Sequence, residues 1–283
     1  MIQQRLASYN CRTDLEEQHA IREITQEVAL AALGRGDFFK HALFQGGTCL
    51  RIFHGLNRFS EDMDFILRRA EVNFQLGEHL GRLVDEMAAY GYQITITDRS
   101  NAQVAVQKAF VKDNSLGKLI EFRHISRTRS LAQIQIRLEV DTNPPEGSGE
   151  ELLYSDFPFV SAVAAQDLPS LFAGKVHALL CRDYIKGRDW YDFLWYTARN
   201  IDMNYRFLTS AIDQLGPWRD QGMVADKNWV FDELSKRITS IDWKQAAQDV
   251  HRFIRPNELP SLDLWSKDLF LRQLEKWRQR TAT

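Results

Sequence analysis

Several things are scarce in this sequence, and each scarcity removes a class of protein. Only three cysteines occur, Cys11, Cys49 and Cys181. They form no even set and no CxxC pair, so neither a disulfide framework nor a zinc site is indicated and a reducing compartment is expected. Neither sign of charge is in excess: 36 basic residues face 38 acidic ones, for a net charge of -2. That excludes a globally basic nucleic-acid binder and confines any such contact to a local patch. No apolar run approaches the roughly 20 residues of a spanning helix, and the opening MIQQRLASYNCRTDLEEQ has no apolar signal core. A soluble cytoplasmic protein without a membrane partner is expected. The patterns HExxH, GxSxG and GxxxxGK[ST] are absent, which leaves zinc proteolysis, serine hydrolysis and Walker-type hydrolysis without a motif.

What is present is ordinary in bulk and particular in detail. With 283 residues, 44% hydrophobic and 11% aromatic, the chain can bury the core of one large or two smaller domains. Residues 14–33 place acids early and apolar groups at Ile21, Ile24, Val28 and Leu33, the pattern of an amphipathic helix, which Gly34 and Gly36 would end. Asp62 to Leu67 alternates like a strand, VNFQLGEHLGRLVDEMAAYG reads as a helix, and QITITD, AQVAVQKAFV, KLIEFRHI and LAQIQIRLEVD read as strands. The Pro- and Gly-rich DTNPPEGSGEEL must be a loop. From about Leu168 the pattern turns helical, with LPSLFAGKVHALLCRDYIKG as one helix, so a boundary is expected near Ala165.

Chemistry concentrates in FQGGTCLRIFHGLNRFSEDMDF, from Phe44 to Phe65. Gly46 and Gly47 permit close backbone approach, and a helix starting at Thr48 would turn its free amides toward an anion such as a phosphate. Asp62 and Asp64, two apart in a strand, point to one face and can hold a hard divalent cation. Two glycines alone read as a turn, and two alternating aspartates as a solvated edge. Their order along the chain is what points to chemistry. In IQIRLEVD, Glu139 and Asp141 share the polar face of a strand, and either can complete a metal cluster. In KVHALLCRDYIKGRDWYDF, Lys175, Arg182 and Asp189 recur every seven residues and would share one helix stripe, unless Gly187 breaks the helix. His177, set in an apolar KVHALL, reads as a packed core histidine.

These segments resemble a known family. The first is similar to the GGTxLR...RFSEDxDF signature of the AbiEii-type nucleotidyltransferase toxins, a branch of the DNA polymerase β-like nucleotidyltransferases. The second is similar to its KxxAxxxRxxxRDxYD signature. The resemblance spans about Leu15 to Thr197, and the C-terminal third carries no matching motif. It implies an α+β fold, a polymerase β-like mixed sheet with flanking helices in residues 1–165, followed by a mostly helical C-terminal domain, 166–283, that completes the active site. It implies transfer of a nucleoside monophosphate from an NTP, with Mg²⁺ or Mn²⁺ as cofactor and pyrophosphate leaving. By position, Asp62, Asp64 and Glu139 would be metal ligands and catalytic, with Lys175 and Asp189 also catalytic. Gly46, Gly47, Thr48, Arg51, Ser60, Lys175, Arg188 and Asp192 would bind the nucleotide. The expected acceptor is the tRNA 3′ end and the expected partner a cognate antitoxin. The same chemistry on a protein or small molecule, or a non-catalytic nucleotide-binding partner protein, are the alternatives. Two basic runs, Arg123, His124, Arg127 and Arg129, and Arg272, Lys276, Arg278 and Arg280 with Trp277 for stacking, are the candidate RNA contacts.

Overall fold

Thr13 opens the first long helix with a reciprocal cap. Its hydroxyl accepts from the Glu16 amide while the Glu16 carboxylate accepts from the Thr13 amide, and Asp14, Glu16 and Glu17 place negative charge where the helix dipole favours it. The computed structural model describes residues 1–71, 73–98, 115–124 and 133–280, which divide into two units. The first holds Met1–Gly55, Phe59–Pro144 and Glu150–Ala165, and the second Leu56–Arg58, Pro145–Gly149 and Gln166–Thr283.

The first unit contains helices α1 (Ile2–Ser8), α2 (Asp14–Arg35), α3 (Gly46–His54) and α4 (Leu76–Ala88). Its strands are β1 (Ala42–Gln45), β2 (Met63–Leu67), β3 (Tyr92–Asp98), β4 (Ser115–His124), β5 (Gln133–Asp141), β6 (Glu150–Ser155) and β7 (Ser161–Gln166). They form one mixed sheet in the order β3-β4-β5-β2-β1-β7-β6. β2 runs antiparallel to β1 and parallel to β5, and β1 runs parallel to β7. A mixed sheet with flanking helices, as expected, therefore carries the first signature on its two central strands. Phe38, Phe44 and Phe65, each at most 1% exposed, form its apolar centre.

The structure departs from the sequence expectation in α2 and α4. Rather than showing one apolar stripe, α2 is buried from Glu23 through Leu33, polar residues included. Such burial is tolerated only when the polar groups are partnered, and they are: Glu23 takes Arg51, Glu27 takes Arg5, and Gln26 donates to the Ser60 and Glu61 carbonyls. The helix expected from Val72 starts later, at Leu76, and ends at Ala88. The strand expected over AQVAVQKAFV, together with Arg127 and Arg129, lies outside the described residues.

The second unit contains α5 (Leu168–Cys181), α6 (Gly187–Ala198), α7 (Tyr205–Gln214), α8 (Lys227–Ser240), α9 (Trp243–His251) and α10 (Lys267–Arg280). Its core is aromatic, with Phe172 stacked on Tyr196 at 4.5 Å and Trp243 on Phe270 at 3.9 Å. Trp277 lies in that core at 1% exposure, edge-on to Phe172, so it is a packing residue and not a platform for a base. On the same helix Arg278 donates to Asn228 and Arg280 to Asn200. Among the described residues no helix is long and apolar enough to cross a membrane.

Candidate active site

The first signature folds onto itself through a glycine with a left-handed backbone. Gly46 has φ +80°, and a Cβ built on it would sit 2.5 Å from the Asp64 Oδ2 and 3.2 Å from the Asp64 Cβ. The left-handed backbone and the close approach both favour glycine. The register makes this contact possible, since Gln45, the last residue of β1, lies opposite Asp64 in β2. Helix α3 begins at Gly46, two residues earlier than the expected start at Thr48, and Gln45 supplies no side-chain cap. Its first turn thus opens beside the Asp64 carboxylate.

Thr48 has no exposed surface, and its hydroxyl donates to the Asp62 carbonyl. It holds the backbone where β2 begins rather than facing a ligand. Gln26 holds the two preceding carbonyls, those of Ser60 and Glu61, from α2. Arg51 is likewise turned inward, bonded to Glu23 at 2.8 Å and lying over the Phe59 ring at 4.5 Å. The pair fixes α3 to α2, and with it the glycine turn.

Asp62 and Asp64 are half-buried while Met63 and Phe65 are buried, the alternation that a strand with one covered face requires. Asp64 is the register partner of Glu139 on the parallel neighbour β5, so the two carboxylates leave the sheet on the same face. Asp141 is one step further along, opposite Ile66, buried, with its Oδ1 accepting from the Asn143 amide at 3.1 Å. The geometry therefore separates two residues that the sequence left equivalent: Glu139 stands with the aspartates, and Asp141 closes a turn.

Arg137, on the same face of β5, donates to Glu139 at 3.1 Å. Burial alone would lower its pKa, but Glu139, Asp62 and Asp64 outweigh that and raise it. One guanidinium thus feels all three carboxylates. Among the described residues no three His, Cys, Asp or Glu side chains stand close enough to hold a metal ion as they are placed. In chemistry and facing the set nonetheless suits Mg²⁺ or Mn²⁺, because it offers only hard carboxylate oxygens, and Arg137 neutralises the same charge that a cation would.

The second signature builds a separate cluster. The single helix expected over residues 168–187 is two: α5 stops at Cys181, Arg182 is extended, and α6 starts at Gly187. A Cβ on Gly187 would collide with the Ala246 carbonyl oxygen of α9, so the break is fixed by close packing. The seven-residue stripe does not exist, yet the break brings its members together. Lys175 Nζ lies 2.7 Å from Asp189 Oδ1 and 2.8 Å from Asp192 Oδ2. Arg182 pairs with the other oxygen of Asp189, and Arg58 grips Asp192 with two hydrogen bonds of 2.6 Å.

Both aspartates are buried, which alone would raise their pKa values. Lys175, Arg182 and Lys186 overcome this for Asp189, and Arg58 and Lys175 for Asp192, so both stay below the usual carboxylate range. Lys186, just before α6, is lowered by burial and by Arg182, Arg188 and Lys175 against the pull of Asp189. Arg188 is half-buried and lies over the Phe253 ring at 4.2 Å. His177 contacts the Leu215 carbonyl at 2.8 Å, a structural role as its setting suggested.

Residues 28–273 match the family model of the nucleotidyl transferase AbiEii toxin, type IV TA system. The chain belongs to this family. It is a nucleotidyltransferase of a type IV toxin–antitoxin system, which implies an antitoxin partner. The match reaches well past Thr197, where the recognisable signatures stop. MenT4, a nucleotidyltransferase toxin from Mycobacterium tuberculosis, is similar over 95% of this chain and 97% of its own, at 16% identity and a TM-score of 0.54. JHP933 from Helicobacter pylori is similar over 91% and 90%, at 15% identity and a TM-score of 0.51. At such identities they share the fold with this AbiEii chain. No curated protein matches it.

Four residues of this AbiEii protein escaped the sequence reading. Arg137 was visible in principle, as it alternates onto the face of Glu139 two residues earlier. Arg58 stands inside the first signature, but nothing local says that its partner is Asp192, 134 residues on. Glu23 and Gln26 left no signal, since polar residues on a helix read as its wet face.

Proposed function

We propose that this AbiEii nucleotidyltransferase transfers a nucleoside monophosphate from an NTP to the 3′ end of tRNA, with Asp62, Asp64 and Glu139 holding Mg²⁺. The observation that carries the reading is the placement of Gly46 against Asp64, which sets the open first turn of α3 and the strand carboxylates side by side. An anion at that turn and a cation on those carboxylates are the two halves of a metal–nucleotide complex. Bound there, Mg²⁺ would neutralise phosphate charge and orient the α-phosphate for displacement.

The chain's own groups do the rest. Gly46 and Gly47 let phosphate oxygens approach the backbone. Thr48 and Gln26 fix the backbone from Ser60 to Asp62, so the carboxylates keep their direction. Arg137 balances their charge before nucleotide arrives. The acceptor rests on the family resemblance, with Arg272 and Lys276 on α10 as its basic contacts.

The test incubates the protein with Mg²⁺, total bacterial RNA and each NTP labelled at the α-phosphate, beside Asp64→Asn. Label in tRNA-sized RNA with the unmutated chain alone is expected. Label in protein or in a small molecule would overturn the acceptor, and equal labelling by Asp64→Asn would overturn the metal assignment.

A further inference from the structure

The second signature's cluster is an alternating chain of charges, Arg58, Asp192, Lys175, Asp189, Arg182, and its members differ sharply in exposure. The side chains of Asp192, Asp189 and Arg58 are 0%, 3% and 3% exposed, against 12% for Lys175 and 18% for Arg182. Each carboxylate offers one oxygen to Lys175, and each is also gripped by an arginine. The ammonium carries three N–H donors, two of which these contacts take. A lysine on a four-carbon stem samples many rotamers when free, but one held by two buried carboxylates, each pinned by its own arginine, keeps a single direction for its remaining N–H. Three cations against two carboxylates leave the cluster one positive charge in excess, and Lys175 is the member that both carboxylates share.

We propose that Arg58, Asp192 and Arg182 are positioning residues for Lys175, holding its ammonium in one direction so that its remaining N–H is kept for a phosphate oxygen. This rests on the nucleotide-transfer reading above and deepens it. It also explains physically why the two signatures belong together. Arg58 comes from the first, in NRFSED, and Asp192 from the second, in RDWYD, and each is buried against the other. Arg58 was not a candidate from the sequence, and Asp192, expected to touch nucleotide, has no exposed surface with which to do so.

The test removes the outer pair without leaving a buried charge, as Arg58→Met with Asp192→Leu, and uses Arg58→Lys as a milder change that keeps the cation but loses the two-pronged grip. The first readout needs no activity. Acetic anhydride labelling of each lysine, followed by peptide mass spectrometry, should show Lys175 protected in the unmutated chain and labelled at least ten times faster in the double variant, with Arg58→Lys between them. Lys236, 71% exposed, serves as the internal standard. Unchanged Lys175 labelling in folded variants overturns the proposal.

The second readout is a cycle on transfer rate. The double variant should lose roughly 10- to 100-fold in the unmutated background and nothing further in Lys175→Ala, since residues that act through one group are non-additive. Equal losses in both backgrounds would mean that the pair only supports the fold, and overturn the proposal. A chain that transfers to no acceptor, yet shows the labelling change, refutes the nucleotide-transfer reading while the positioning of Lys175 stands.

Discussion

Two glycines in this chain allow strain and crowding to be separated. Gly46 and Gly55 both have left-handed backbones, with φ +80° and +73°, but a Cβ at Gly55 meets nothing within 4 Å while one at Gly46 would sit 2.5 Å from the Asp64 carboxylate. Alanine should cost each position about 1–2 kcal/mol of backbone strain, or a few degrees of Tm in a domain of this size. At Gly46 there is a second cost. Real Cβ atoms do not approach closer than 3.0 Å, so Asp64 must shift by at least 0.5 Å. A displacement of about 1 Å in a reacting group costs on the order of 100-fold, which places the expected loss of transfer for Gly46→Ala at roughly 10- to 100-fold. Gly55→Ala should lose little beyond its strain. The assay pairs thermal unfolding with incorporation of α-labelled NTP for both variants. Equal activity losses would refute the reasoning, because strain alone would then account for the effect.

Four other outcomes are expected. Asp62→Ala should abolish transfer with the urea midpoint nearly unchanged, since the side chain is half-buried and packs no core; full activity in a folded variant would remove it from the site. Glu139→Gln should lose far more activity than Asp141→Ala, which should instead lose stability through its turn, and kinetics with urea titration on the two variants separates the roles. Asp192→Ala should destabilise by about 3–5 kcal/mol, because Arg58 is left charged and buried, and Arg58→Met with Asp192→Leu should recover most of that. The sign of the pH dependence follows from the same pair of aspartates. Both are held below the unfolded value of about 3.9, so their contribution is present above that pH and lost as pH falls through their folded values. Urea midpoints should therefore fall below pH 4, less steeply in the double variant.

The fold was legible wherever one period dominated. Strand β2 and the helix after the glycines were both read from local pattern, although β2 is buried at Met63 and again from Phe65 through Leu67. The errors have a common cause. At residues 168–187 the helical period runs on through Arg182, but α9 approaches so closely that only Gly187 can start the next helix. In α2 the polar residues that looked solvated are buried against Arg5, Arg51 and the backbone before β2. Trp277 sat among arginines in the sequence, and the aromatic core claimed it. A local pattern reports how a segment would divide itself between oil and water, and it fails when a distant segment supplies the partner.

The same division runs through the candidate site. Gly46, Asp62 and Asp64 could be named early because they stand within one short segment, whereas Glu139 and Asp141 were separated only by the register of β5 against β2. The residues that hold the backbone around the first signature are written across the chain, Gln26 to Ser60 and Glu61 and Glu23 to Arg51, and the second cluster depends likewise on Arg58 meeting Asp192. Such partners cost more to lose than to lack. A buried arginine without its carboxylate destabilises by several kcal/mol, whereas a pair replaced by apolar groups can be neutral. It follows that a single replacement that strands a charge, such as Asp192→Ala, should lose stability before it reports on function, and that paired or charge-keeping replacements are the ones that reveal what the pair does for Lys175.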